Sequence, residues 1–232
     1  MNTNVAAWLL TVSVLLHGSG ASGQSTYQVG GLPSLNLNGR LTPAWSLHFK
    51  IESRQLFGKG GAAMEPRRAY EYVLTDVSLL AARKAGLRGR FAGGYLIRRE
   101  AGGTVHRFIQ QYTFVQRLPR FRLAHRLACD QTISGEEKPA FRLRYRITAE
   151  IPLGGSAVDP GEFYLKVAHE YLGSRQSGES LLEARWVPVL GYDLSGAVKL
   201  ESGLDYRKRP FPGMDSRSSY WWTVNLFLSL WQ

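Results

Sequence analysis

The sequence predicts an all-β protein: an up-and-down antiparallel transmembrane β-barrel of about twelve strands, with ten as the alternative. Three observations lead there. Apolar and polar residues alternate with a period of two through most of the chain, the signature of strands whose successive side chains point to opposite faces. No segment shows helical periodicity. The alternating segments run to roughly ten to fourteen residues, longer than the five or six usual in soluble domains and suited to a tilted crossing of an outer membrane.

The chain opens on an uncharged stretch. Residues 1–23 hold an apolar run from Val5 to Leu16 and end in Ala21-Ser22-Gly23. This resembles a secretory signal peptide cleaved before Gln24, although the usual basic start is missing. The run is too short for a comfortable transmembrane helix, and no other apolar stretch approaches about 18 residues. The expected organisation is therefore a signal peptide over 1–23 and one barrel domain over 24–232. That domain has 209 residues (232 minus 23), a size that suits one sandwich or barrel. The single cysteine, Cys129, allows no internal disulfide. A net charge of +11 invites a nucleic-acid or acidic-surface partner. Export argues against nucleic acid, and so does the distribution of the charge.

The strands follow in order. After Leu35 and Leu37 comes the segment 44–56, with Trp45, Leu47, Phe49 and Ile51 on one face and His48, Lys50, Glu52 and Arg54 on the other. Further segments run at 69–82, 87–99, 104–117, 121–133, 140–151, 162–173, 181–190, 196–207 and 219–231. Short turns are expected at Thr42-Pro43-Ala44, Lys84-Ala85-Gly86, Pro119-Arg120 and from Tyr192 to Gly196. Longer polar or glycine-rich loops are expected at 57–68, 100–103, 134–139, 174–180 and 208–218, with 152–161 intermediate. Short connections at one end and long ones at the other are the pattern of outer-membrane barrels, the short ones periplasmic. Eleven segments are counted, and bacterial single-chain barrels have even numbers. Residues 25–33 are therefore expected to supply a further strand, or one segment drops out.

Alternation alone does not separate a soluble sandwich from a membrane barrel. Aromatic residues near segment ends (Trp45, Tyr70, Tyr72, Tyr95, Tyr171, Tyr220 and Trp222) suit interfacial girdles. The last segment is almost uncharged and carries Trp231 next to the final residue, much like the terminal strand of outer-membrane barrels. The clearest alternation is in 141–151. Phe141, Leu143, Tyr145, Ile147, Ala149 and Ile151 share one parity; Arg142, Arg144, Arg146, Thr148 and Glu150 share the other. In a barrel the first set meets lipid and the second lines the interior.

The polar parity carries both signs. A turn at Pro119-Arg120 sets Leu118 opposite Phe121, hence Gln111 opposite Ala128 and Arg107 diagonal to Asp130. The turn after Leu41 sets Asn38 opposite His48 and Asn36 opposite Lys50. Cross-strand neighbours about 5 Å apart are close enough for ion-pair networks. A nucleic-acid surface would be nearly pure Lys and Arg with exposed aromatics between. The expected interior network comprises Glu52, Arg107, Gln111, Arg122, Arg126, Asp130, Arg142, Arg144, Arg146, Glu150, Glu170, Arg185 and Glu201.

Six stretches carry a family resemblance: "LTPAWSLHFKIESR", "HRFIQQY", "FRLAHRLACDQ", "FRLRYRITAEIPL", "YLKVAHEYL" and "LEARWVPVLGY". Together they resemble domain-of-unknown-function family 2490, an uncharacterised bacterial outer-membrane barrel family. The pattern is Arg–x–x–x–Gln at Arg107 and Gln111, Arg–x–x–x–acid at Arg126 and Asp130, and Arg–x–Arg–x–Arg at Arg142 to Arg146. It continues with Glu170 before Tyr171 and with Arg185. Asp130 stands where the pattern carries Glu, and Thr132 where it carries Arg. The resemblance implies an outer-membrane β-barrel in a Gram-negative bacterium and implies no reaction.

Other chemistry finds little footing. A lipid-modifying enzyme of the outer membrane needs a nucleophile within reach of its base. His106, His125 and His169 fall on the apolar parity, but the register places His125 across from Phe114 with no serine nearby on that face. His169 and Glu170 point to opposite faces and make a poor metal pair. Gly58 to Gly61 ("GKGG") lacks the strand–loop–helix setting of a phosphate loop. The sequence thus points to no catalytic residue, metal or cofactor. It predicts a bacterial outer-membrane barrel with an Arg/Glu-lined interior, a narrow channel or structural envelope protein. The alternatives are the lipid-modifying enzyme and a soluble periplasmic ligand-binding barrel. Expected partners are outer-membrane lipid, the barrel-insertion machinery during assembly and a small polar or anionic solute, with no nucleic acid.

Overall fold

Pro33, the residue least suited to the middle of a sheet, explains how the strands are counted. In this computed structural model, which describes residues 25–135, 137–212 and 216–230, the chain runs through Pro33 as a single strand, β1 (Thr26–Arg40). Proline has no N–H to give to a ladder. The ladder to the next strand omits Leu32 and Pro33 and resumes at Ser34 opposite Glu52, while the ladder on the other side continues through Pro33 opposite Val224. Residues 25–33 are therefore the upper half of the first strand, not an additional one.

Ten more strands follow: β2 (Trp45–Gly61), β3 (Met64–Ala85), β4 (Gly89–Glu100), β5 (Gly103–Arg117) and β6 (Arg122–Ser134). After these come β7 (Ala140–Pro152), β8 (Phe163–Gln176), β9 (Glu179–Asp193), β10 (Val198–Arg209) and β11 (Arg217–Leu230). Each pairs with its neighbours in chain order, and β1 closes on β11. The barrel has eleven strands, which corrects the expected twelve and the alternative ten. An odd number forces the closing pair to run parallel, as β1 and β11 do from Thr26 opposite Arg217 to Gly39 opposite Leu230. Odd-numbered membrane barrels exist outside bacteria. The signal peptide expected over 1–23 and Trp231 lie outside the described residues.

A parallel pair is slightly weaker per residue than an antiparallel one, and the seam is reinforced from within. Ser34 Oγ donates to Asn225 Oδ1 at 2.6 Å, Asn36 Nδ2 to Ser34 Oγ at 3.0 Å and to the Leu226 carbonyl at 3.3 Å. Gln28 Nε2 donates to Ser219 Oγ at 2.9 Å. Above this ladder the Trp221 indole, 1% exposed, packs with Leu32 and Leu56. Gly30 makes that possible: a Cβ there would lie 2.4 Å from the indole.

The upper rim carries the connections at 62–63, 101–102, 135–139, 177–178 and 210–216; the lower rim carries those at 41–44, 86–88, 118–121, 153–162 and 194–197. The expected contrast of short and long loops is not what forms. The glycine-rich 57–68 is drawn into a β2–β3 hairpin that pairs as far as Gly61 opposite Met64. Three register shifts in that hairpin break the parity on which the sequence reading relied. At 177–178 a two-residue turn forms, with positive φ at Ser177 (52°) and Gly178 (90°), as a tight hairpin bend of right-handed strands requires. The registers read from the other turns are the ones observed: Asn36 opposite Lys50, and Gln111 opposite Ala128.

The closure is open to a direct chemical test. Leu35→Cys with Leu226→Cys, in a Cys129→Ser background, places two thiols at directly paired positions, within the geometry a disulfide needs. This pair cross-links on mild oxidation, whereas Leu35→Cys with Leu200→Cys, one strand further round, does not. A twelfth strand between β1 and β11 would remove the first cross-link, read as altered mobility on a non-reducing gel.

Candidate functional site

β7 places its arginines by parity alone, and the flanking strands decide what they meet. Asp130 of β6 lies opposite Arg142, Ala128 opposite Arg144 and Arg126 opposite Arg146. On the other side Arg146 faces Glu170 of β8, and Glu170 faces Arg185 of β9. Small inward residues make room: Ala128 and Ala168 are buried at 1% and 4% exposure, leaving space for the guanidinium groups beside them.

Two carboxylates organise the result. Glu170 takes Arg146 Nε at 2.8 Å, Arg126 Nη2 at 3.2 Å and Arg185 Nη1 at 3.2 Å. Asp130 takes Arg142 Nε at 2.5 Å, Arg144 Nη2 at 3.1 Å and Arg107 Nε at 3.5 Å. Arg107 Nε also donates to Thr132 Oγ1 at 3.0 Å. Both carboxylate side chains have no exposed surface. A buried charge without partners costs several kcal/mol, and three guanidinium groups offset that cost at each site. Six arginines around two carboxylates leave a formal excess of four positive charges (six minus two).

The remaining inward charges form smaller groups. Glu52 pairs with Lys50 at 2.5 Å and Arg54 at 3.9 Å, and the Arg54 guanidinium stands 5.0 Å from the Trp221 ring centre. Arg98 grips Asp76 with two hydrogen bonds, 2.7 and 2.8 Å, and Arg207 grips Asp205 at 2.9 and 2.8 Å. Lys166 pairs with Glu201, which also accepts from Tyr164 Oη at 2.8 Å. Gly191 sits between them on β9, and a Cβ there would meet the Tyr164 ring at 2.2 Å.

The residues expected from sequence therefore divide. Arg107, Arg126, Asp130, Arg142, Arg144, Arg146, Glu170 and Arg185 come together in the two clusters. Glu52 and Glu201 sit in separate groups. Arg122 and Glu150 pair at 2.8 Å near the lower rim, with the Arg122 side chain half exposed. Gln111 lies between Ala92 and Ala128, among small side chains. The expected network left out Asp76, Arg98, Lys166, Asp193, Lys199 and Arg207; Glu183 and Asp205 fall on the polar parity that the sequence reading takes as inward. For Glu183–Arg185 and Asp205–Arg207 a signal existed: opposite charges two residues apart in a strand share a face.

The outer-face histidines each meet an aromatic side chain. His106 Nδ1 lies 2.5 Å from Tyr95 Oη, and His125 Nδ1 lies 2.8 Å from Tyr145 Oη. His169 packs against Trp186 with ring centres 4.9 Å apart.

Removing Glu170 leaves three partly buried guanidinium groups facing one another. Glu170→Ala is expected to lower the unfolding free energy by about 3–5 kcal/mol, while Arg122→Ala at the rim costs less than about 1 kcal/mol. Urea unfolding of the purified barrel followed by tryptophan fluorescence measures both; equal effects would contradict the central role of Glu170.

No curated protein and no solved structure matches the chain. The family described as "Protein of unknown function (DUF2490)" matches residues 30–215, a span that holds both arginine–carboxylate clusters. The chain belongs to this uncharacterised family.

Proposed function

We propose that the chain is a bacterial outer-membrane β-barrel whose ion-paired interior makes it a narrow or closed channel, or a structural envelope protein. One observation carries the reading: the polarity of the wall is inverted relative to a soluble protein. Asp130, Glu170 and Asp193 are among the most buried side chains, each 1% exposed, whereas Phe91 (61%), Phe141 (59%), Leu143 (54%) and Trp222 (62%) stand outward and bare. Soluble monomers rarely expose apolar patches beyond a few hundred Å². An apolar belt carried by every strand suits lipid, with the polar groups inside.

Aromatic contacts support the same placement. On the outer face Tyr171 and Trp186 pack with Phe211, and Trp186 continues through Tyr206 to Tyr220. Nearer the lower rim, Phe91 packs with Tyr112 and Phe163 with Tyr192, each pair at 4.6 Å. Aromatic side chains at two levels suit the two membrane–water interfaces.

Barrels of about eight strands are filled by side chains and those of about sixteen leave a pore. Eleven strands filled by the arginine–carboxylate clusters leave at most a narrow passage, and the excess of arginine would favour small anions over cations. Under this reading, export by the signal peptide cleaved before Gln24 precedes assembly by the barrel-insertion machinery.

Cell fractionation with heat-modifiability tests the location: the protein is expected in the outer membrane and shifts on a gel when boiled. Recovery in the soluble fraction, with one gel position, would contradict the proposal. In planar bilayers conductance is expected to be small or absent, with any current carried by anions. Large or cation-selective steps, or cleavage of the lipid, would overturn the reading of the interior.

A further inference from the structure

On the outer face near the lower rim, β2, β3 and β4 frame a groove of about 370 Å³. Arg83 of β3 stands directly between Trp45 of β2 and Phe91 of β4, and its guanidinium lies 5.8 Å from the Trp45 ring centre. The next outward pair, Ala81 and Gly93, has almost no side chain and forms the floor. Beyond it lies Leu79, half exposed. The groove thus leads from a cation at the rim, between two aromatic walls, towards the apolar belt.

The charge around it is confined to one sector. Arg83, Lys84, Arg88 and Arg90 on the β3–β4 hairpin, with Arg117 and Arg120 on the β5–β6 hairpin, are all exposed. From Val77 to Cys129 the sequence holds one acidic residue, Glu100, and it ends β4 at the opposite rim. The lower-rim connection at 153–162 carries Asp159 and Glu162 instead. We infer that this groove binds one anionic glycerophospholipid, its phosphate held by Arg83 and one acyl chain lying over Ala81 and Gly93 between Trp45 and Phe91. The volume falls at the small end of ligand sites, which suits a single chain. Basic pockets on membrane proteins recognise anionic head groups in this manner. An acidic peptide would use the charges alone and would have no use for a small-residue floor between aromatic walls. The inference rests on the membrane reading above.

Native mass spectrometry of the full barrel released from neutral detergent tests it, with phosphatidylglycerol and phosphatidylcholine offered together. One phosphatidylglycerol is expected to be retained in preference to phosphatidylcholine. Arg83→Ala lowers that preference about fivefold. Gly93→Phe fills the groove and abolishes retention with the charges intact; a Cβ at Gly93 has no closer neighbour than 4.0 Å, so the sheet tolerates it. Heat-modifiability of each variant confirms that the barrel is folded. Equal retention of the two lipids overturns the proposal while leaving the membrane reading in place. So does competition by glycerol 3-phosphate or an acidic peptide as strong as that of the lipid, because neither occupies the groove. A wild-type protein found soluble on fractionation overturns the membrane reading itself.

Discussion

The pairing of Glu170 and of Asp130 with arginines from neighbouring strands is the constraint on which the rest of the barrel depends. Neither carboxylate has surface left for water, so each is stable only where guanidinium groups from several strands arrive together. The six arginines come from β5, β6, β7 and β9, and the carboxylates from β6 and β8. Five consecutive strands are thereby held in one register. A slip of one residue would turn every inward charge to the outer face, which is apolar along the same strands. The interior clusters and the exterior belt are two consequences of one alternation.

The arc around the closing seam, from β10 to β2, is held differently. Glu52 with Arg54 and Asp205 with Arg207 pair within a strand, and such pairs say nothing about the neighbouring register. There the work passes to neutral groups. Ser34, Asn36 and Asn225 bond across the β1–β11 seam, and Trp221 fills the space left by Gly30. Closing an odd number of strands requires one parallel pair, and this chain places it where the interior has hydroxyl and amide groups rather than ion pairs. A further consequence is that Thr26 and Leu230 stand at opposite rims.

Most of the strands were legible in the sequence because alternation and turn chemistry agreed. The turn at Pro119-Arg120 alone set Gln111 opposite Ala128, as observed. Reading failed where parity breaks. The bulged β2–β3 hairpin resembles a glycine-rich loop in sequence, and its pairing through Gly58 opposite Arg68 becomes visible only in three dimensions. The eleven segments counted in the sequence match the eleven strands. The expected twelve came from the even-number rule for bacterial barrels, and residues 26–33 instead continue into β1 through Pro33. The inward charges that make up the two clusters were legible, since parity determines them. Their grouping was not: Arg126 reaches Glu170 across the whole of β7, a matter of side-chain length and sheet curvature. Asp76 with Arg98 needed the β3–β4 register, which no turn signature announced as clearly.

The inverted wall is most directly tested along β7, where it was first read. Nitroxide labels at single cysteines from Phe141 to Ile151, in a Cys129→Ser background with the protein in lipid bilayers, report access to oxygen dissolved in lipid and to a water-soluble nickel chelate. Oxygen access should oscillate with a period of two, with maxima at Phe141, Leu143, Tyr145 and Ile147, each paired across the sheet with other outward positions. Arg142, Arg144 and Arg146 should be shielded from both reagents. Oxygen maxima at the arginine positions, or nickel access at Phe141, Leu143, Tyr145 and Ile147, would contradict an apolar exterior around a charged interior.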